Sequence, residues 1–153
     1  MGLKGKMIGQ TEIKGAGGDV FHEFICKTPH HLANATPEKI QAFTLIDGGL
    51  GTDGCIIRWD YTHDGKARVA KQIMEDIDHE KQTITFKMIE GDLLDLYKTF
   101  KIKYHVDNKG DYNLITWTLD YEKLNDDITH PGTLLNFFLH MSEDFESHHL
   151  KKA

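Results

Sequence analysis

Thr83-Ile84-Thr85-Phe86-Lys87-Met88-Ile89, Phe100-Lys101-Ile102-Lys103-Tyr104-His105-Val106 and Ile115-Thr116-Trp117-Thr118-Leu119-Asp120-Tyr121 all alternate with a period of two. Successive strand residues face opposite ways, so Ile84, Phe86 and Met88 share one face and Thr83, Thr85 and Lys87 the other. Phe100, Ile102, Tyr104 and Val106 form the next inward row, then Ile115, Trp117, Leu119 and Tyr121. Polar turns separate the runs at Asp78–Lys81 and Asp107–Asp111. One apolar and one wet face predict an antiparallel sheet.

Upstream, Ile56 to Tyr61 runs into Thr62-His63-Asp64-Gly65, an Asp-Gly turn between two strands, and Ala67 to Ile77 follows. Alternation sets Ile57, Trp59 and Tyr61 inward, then Val69, Lys71 and Ile73. Lys71 is the odd member. An inward Lys71 would be desolvated, leaving a reactive amine. A bulge or a nearby edge would instead let it reach water. Gln72, Glu75 and Asp76 blur the alternation there and favour this second reading.

Downstream, Pro131 to about Leu150 reads as a long helix, with Pro131 in the first turn and Lys151 and Lys152 beyond the last. At about 100° per residue, Leu134, Phe138, Met141 and Phe145 fall on one stripe with Phe137 beside it. Asn136, His140, Glu143 and Ser147 lie opposite. Near the start, Asp19 is an N-cap for a short helix carrying Val20, Phe21, Phe24 and Ile25. Thr28-Pro29 ends it before a second short segment, His30 to Ala35. The order is strand, two short helices, six strands and one long helix. Such segregation means α+β in a single domain spanning 1–153.

Between the second and third strands lies Asp47-Gly48-Gly49-Leu50-Gly51-Thr52-Asp53-Gly54, with a formal G-x-G-x-x-G at Gly49, Gly51 and Gly54. A dinucleotide site needs that motif to open a helix. Cys55-Ile56-Ile57-Arg58-Trp59 follows, β-branched and aromatic, so the loop joins two strands and no cofactor is expected.

Composition narrows the function. Eighteen Lys and Arg against twenty-four Asp and Glu give a net charge of −6. The cations are not clustered as a phosphate backbone requires, so nucleic acid is not an expected partner. No apolar stretch reaches the roughly 20 residues of a membrane span. Lys4, Lys6 and Glu12 interrupt any signal-peptide core, and Lys6 stands where a myristoylation motif wants Ser or Thr. Cys26 and Cys55 form no disulfide or metal pattern. A reduced, cytoplasmic protein is expected, and Asn34-Ala35-Thr36 is then a chance sequon. His30, His31, His148 and His149 have no metal-site spacing, and structural roles are the simpler reading. Ser142 and Ser147 lack a nucleophile elbow. No metal is expected.

The chain resembles the major latex proteins and their relatives, a plant branch of the Bet v 1 superfamily that includes the pathogenesis-related class 10 proteins. Eight segments carry this, in order: Gly2-Leu3-Lys4-Gly5-Lys6; Asp19-Val20-Phe21-His22-Glu23; Pro29-His30-His31; Gly49-Leu50-Gly51-Thr52; Trp59-Asp60-Tyr61-Thr62-His63-Asp64-Gly65-Lys66; Ile89-Glu90-Gly91-Asp92; Tyr121-Glu122-Lys123-Leu124; and His148-His149-Leu150. The resemblance covers essentially the whole chain. It departs at Gly49 and Leu50, where an acidic residue and an aromatic are common in that branch. It implies a curved seven-stranded antiparallel sheet around the long C-terminal helix, two short helices closing one end, and a large, largely apolar cavity between. Periodicity alone does not separate cavity wall from packed core.

The inward rows and the helix stripe supply the candidate ligand-binding residues. These are Trp59, Tyr61, Lys71, Phe86, Met88, Phe100, Tyr104, Trp117, Leu119 and Tyr121 from the sheet, with Leu134, Phe138, Met141 and Phe145 from the helix. Apolar walls with a few polar groups suit a small-molecule pocket, with Tyr hydroxyls and Trp indole N–H groups as donors. The expected function is a carrier or reservoir of terpenoid, alkaloid, phenolic or sterol-like metabolites, tied to defence or specialised metabolism, and acting as a monomer or weak dimer. The alternative is a cofactor-independent cyclase or isomerase steering a reactive monoterpenoid (iridoid) or alkaloid intermediate, with a Lys, Tyr or His moving a proton. No catalytic set is carried over. Ribonuclease activity sits badly with the acidic balance, and a bulk storage or defence role remains a fourth reading.

Overall fold

A computed structural model of the protein describes residues 3–14, 36–110 and 112–152. The two short helices expected before residue 36, together with His30, His31 and Cys26, lie outside the described residues. So do the side chains of His148 and His149.

Seven strands form one antiparallel sheet: β1 (Lys4–Lys14), β2 (Ile40–Asp47), β3 (Ile56–His63), β4 (Lys66–Asp78), β5 (Thr83–Gly91), β6 (Tyr97–Asn108) and β7 (Tyr112–Lys123). Their spatial order is β1-β7-β6-β5-β4-β3-β2, so consecutive strands are neighbours except where β1 returns to pair with β7. The long helix, α1 (Gly132–Lys152), follows. It lies across the sheet's apolar face, with Leu135 seated over Gly9 of β1. The rows expected from β5, β6 and β7 face inward: Ile84, Phe86, Met88, Phe100, Ile102, Tyr104, Ile115, Trp117, Leu119 and Tyr121 are all buried. The sheet is curved and broken by register shifts, two of them between β4 and β5, at Lys71/Gln72 and at Glu75/Asp78. Asp76 there takes a positive φ of 50°. Such bulges bend a strand and increase its twist.

The β3–β4 hairpin turns on two residues. Asp64 (φ 54°) and Gly65 (φ 75°) occupy the left-handed region, as a type I′ turn requires. His63 then pairs with Lys66, Tyr61 with Arg68, Trp59 with Ala70 and Ile57 with Gln72. Directly opposed residues share a face. The inward row of β4 is therefore Arg68, Ala70, Gln72 and Met74, and the expected row of Val69, Lys71 and Ile73 faces out. The glycine-rich loop joins β2 to β3, as its sequence context indicated.

Candidate functional site: a pocket between sheet and helix

The inward rows of β3, β4 and β5 do not meet α1 everywhere. A pocket with a cavity volume of about 60 Å³ remains between them. Trp59 and Tyr61 of β3, Ala70 and Gln72 of β4, and Phe86 and Met88 of β5 form its sheet side. Ile102 of β6, Trp117 of β7, Ile40 of β2 and Leu93, in the 3-10 turn after β5, continue the wall. Leu134, Phe137, Phe138 and Met141 close it from the helix.

Eight of the expected residues thus come together: Trp59, Tyr61, Phe86, Met88, Trp117, Leu134, Phe138 and Met141. Phe100, Tyr104, Leu119, Tyr121 and Phe145 are buried but stand away from the pocket, in packed core. Phe100 stacks on Tyr121 with centroids 5.9 Å apart, and both rings meet Tyr97 edge-on. Lys71 is a correction. It lies on the outer face, where its Nζ meets Glu90 Oε2 at 3.1 Å, because the two-residue turn fixes β4 in the opposite phase. The reading from alternation missed Ala70 and Gln72 for the same reason. Their signal was the Asp64-Gly65 turn, which sets the register once its length is counted.

Hydrogen bonding inside the wall bears on a second expectation. Trp59 Nε1 donates to Gln72 Oε1 at 3.1 Å. Trp117 Nε1 donates to Ser142 Oγ at 2.9 Å, and that hydroxyl donates in turn to the Phe138 carbonyl at 3.0 Å. Both indole N–H groups expected to meet ligand are engaged within the protein. Phe138 stacks on Trp117 (centroids 4.8 Å apart, planes at 18°) and stands edge-on to Phe137. Adjacent rings therefore brace one another across the sheet–helix boundary.

At one end, the β3–β4 turn is tied to the first turn of α1. Thr133 Oγ1 donates to Asp64 Oδ2 at 3.2 Å, and His63 Nε2 lies 2.9 Å from the same hydroxyl. The hydroxyl has one proton, which goes to Asp64, so His63 Nε2–H is the donor in the second contact. Burial lowers the His63 pKa from its ordinary 6.5, against the pull of the Asp64 carboxylate. Tyr61, two residues along the inward row, has its pKa pushed up to about 12, mainly by burial and then by the nearby Asp92 carboxylate. Its hydroxyl stays protonated. Asp92 Oδ2 accepts from the Val69 backbone N–H at 2.6 Å. Among the described residues, no cluster of three or more His, Cys, Asp or Glu could hold a metal ion, and no helix is long and apolar enough to cross a membrane.

A curved antiparallel sheet packed on one long C-terminal helix, with an aromatic-lined pocket between them, is the architecture of the Bet v 1 class. The sequence matches the pathogenesis-related protein Bet v 1 family over residues 2–152, and the chain belongs to that family. It is similar to MLP-like protein 34 of Arabidopsis thaliana, with 43% identity over 98% of this chain and 48% of that protein. The chain thus spans about half the length of that relative. MLP-like protein 31 of Arabidopsis thaliana is 42% identical over 98% of this chain and 88% of its own length. Among solved structures, ginseng major latex-like protein 151 from Panax ginseng superposes with a TM-score of 0.93 at 46% identity, covering 97% of this chain and 99% of that one.

Proposed function

We propose that this protein binds small hydrophobic molecules in the pocket between sheet and helix and acts as their carrier or reservoir in the cytoplasm, in defence or specialised metabolism. Terpenoid, alkaloid, phenolic and sterol-like compounds are the candidate ligands, and the working form is a monomer or weak dimer. The observation that carries the reading is the pocket's wall, built from Trp59, Phe86, Met88, Trp117, Phe138 and Met141. Burying apolar ligand surface there contributes roughly 25 cal/mol per Å². Met88 and Met141 adapt to ligands of varied shape.

A cavity of about 60 Å³ holds little more than a few water molecules. Pockets for drug-sized ligands run to roughly 300–1,000 Å³, so loading must push wall side chains apart. Phe138, the half-buried ring of the helix stripe, is the wall group expected to give way first. Of the Lys, Tyr or His that the enzymatic alternative calls on, Lys71 lies on the outer face and Tyr61 lines the pocket. Titration with a panel of flavonoids, sterols, alkaloids and terpenoids, read by tryptophan fluorescence, tests the carrier reading. Saturable quenching by at least one class is expected, and a flat response from all four overturns it.

A further inference from the structure

Few polar groups line the pocket, and most inward-facing ones are engaged. Trp59 Nε1 and Trp117 Nε1 donate within the wall. Beyond the pocket, the Tyr97 hydroxyl donates to the Thr129 carbonyl at 2.9 Å, and the Tyr121 hydroxyl meets His130 Nδ1. Two polar groups of the lining remain, the amide nitrogen of Gln72 and the hydroxyl of Tyr61, and neither has a hydrogen-bond partner among the described residues.

The Gln72 carboxamide is not free to choose which end it presents. An indole N–H only donates, so Trp59 takes the Gln72 oxygen and turns the NH2 away from itself. Gln72 is 5% exposed. Its amide nitrogen borders the pocket, where a ligand oxygen can accept from it. Tyr61, on the adjacent strand and the same inward face, offers a second O–H. The apolar wall disfavours an anion here, and beside Tyr61 the Asp92 carboxylate outweighs the opposing Arg68 guanidinium.

We infer that Gln72, oriented by Trp59 and seconded by Tyr61, makes the pocket selective for apolar molecules that carry a neutral carbonyl oxygen: a ketone, an aldehyde or an ester. This rests on the pocket being the ligand site, and the test separates the two. The probes are 2-acetylnaphthalene and 2-isopropenylnaphthalene, which share a shape and differ in C=O against C=CH2. Calorimetric titration of wild-type protein is expected to favour the ketone about three- to tenfold, the range of one net hydrogen bond. Gln72→Leu is expected to bring that ratio close to one while keeping or improving the hydrocarbon's affinity. The carbonyl stretch of bound, ¹³C-labelled 2-acetylnaphthalene gives a readout that needs no variant. A shift to lower wavenumber than in hexane supports a donated hydrogen bond, and the hexane frequency overturns it. Equal affinity of the two probes for wild-type protein overturns the inference alone. If neither probe binds, the ligand-binding reading falls and the inference with it.

Discussion

Phe138→Ala is expected to weaken the fold and improve the pocket at once. The ring stacks on Trp117 at 4.8 Å, meets Phe137 edge-on at 5.5 Å and faces the pocket on its remaining side. A Phe→Ala change in closed core costs about 3–5 kcal/mol. Phe138 is half-buried, and part of its surface already borders open volume, so fewer contacts are lost and about 2–3 kcal/mol is expected. For a chain of this size that lowers Tm by about 5–10 °C. The vacated space joins the cavity of about 60 Å³. N-phenyl-1-naphthylamine, a neutral fluorescent probe, should then bind more tightly than to wild-type protein. At a hundredfold excess over Kd it adds about 2.7 kcal/mol to the folded state, enough to return the variant close to the unliganded wild-type Tm. Phe145→Ala is the control. Phe145 is 1% exposed and stands outside the pocket, so its truncation costs the full range with no gain in probe affinity. Calorimetry with and without probe reads all of this. Weaker probe binding in Phe138→Ala would refute the reasoning, because the ring would then be a ligand contact and not the group occupying the ligand's space.

Lys71→Met should leave probe affinity unchanged and shift stability by less than about 1 kcal/mol, since the Lys71–Glu90 pair is exposed. A marked loss of binding would return the amine to the site. Gly91→Ala should lower Tm by at least about 5 °C. Its φ is 128°, and an added Cβ would lie 2.2 Å from the Val69 carbonyl oxygen, next to the Val69–Asp92 bond. A Tm within a degree of wild type would show that the backbone there relaxes. Because His63 has a lowered pKa when folded, the unfolded chain takes up that proton first, and stability falls as pH drops below about 6.5. Tm measured from pH 7.5 to 5.5 should therefore fall less steeply in His63→Gln, and an unaltered slope would exclude His63 as the group responsible.

The sequence made β5, β6 and β7 plain and misled at one strand, for a physical reason. In β5, β6 and β7 most apolar residues keep one phase, with exceptions such as Ile89, Tyr97 and Leu114, and every residue of the three inward rows is buried. In β4 both phases carry apolar side chains, Val69 and Ile73 on one, Ala70 and Met74 on the other, while charge and polarity are also split between them. Hydrophobicity therefore could not choose the phase. Turn geometry could: with Asp64 and Gly65 as the two loop residues, Trp59 must oppose Ala70. The helix stripe was legible down to Leu134 and Met141, whose burial follows from spacing alone. Which inward residues border the pocket and which are packed core was not legible. That division depends on where the curvature of the sheet carries it away from the helix, as at Phe86 but not at Leu119. The partners of the two indoles were hidden too, because each lies in another element, Gln72 on β4 and Ser142 on α1.

The two-residue turn at Asp64-Gly65 also constrains how this gene can change length. One codon inserted there would slide β4 by a residue, carrying Ala70 and Gln72 to the outer surface and bringing Val69, Lys71 and Ile73 into the pocket. The loop from Gly48 to Cys55 faces no such veto, because the β2–β3 pairing beside it already absorbs a register shift between Leu45 and Asp47. Natural length variation should therefore gather in the glycine-rich loop and be excluded from the hairpin next to it, although both are surface turns a few residues apart.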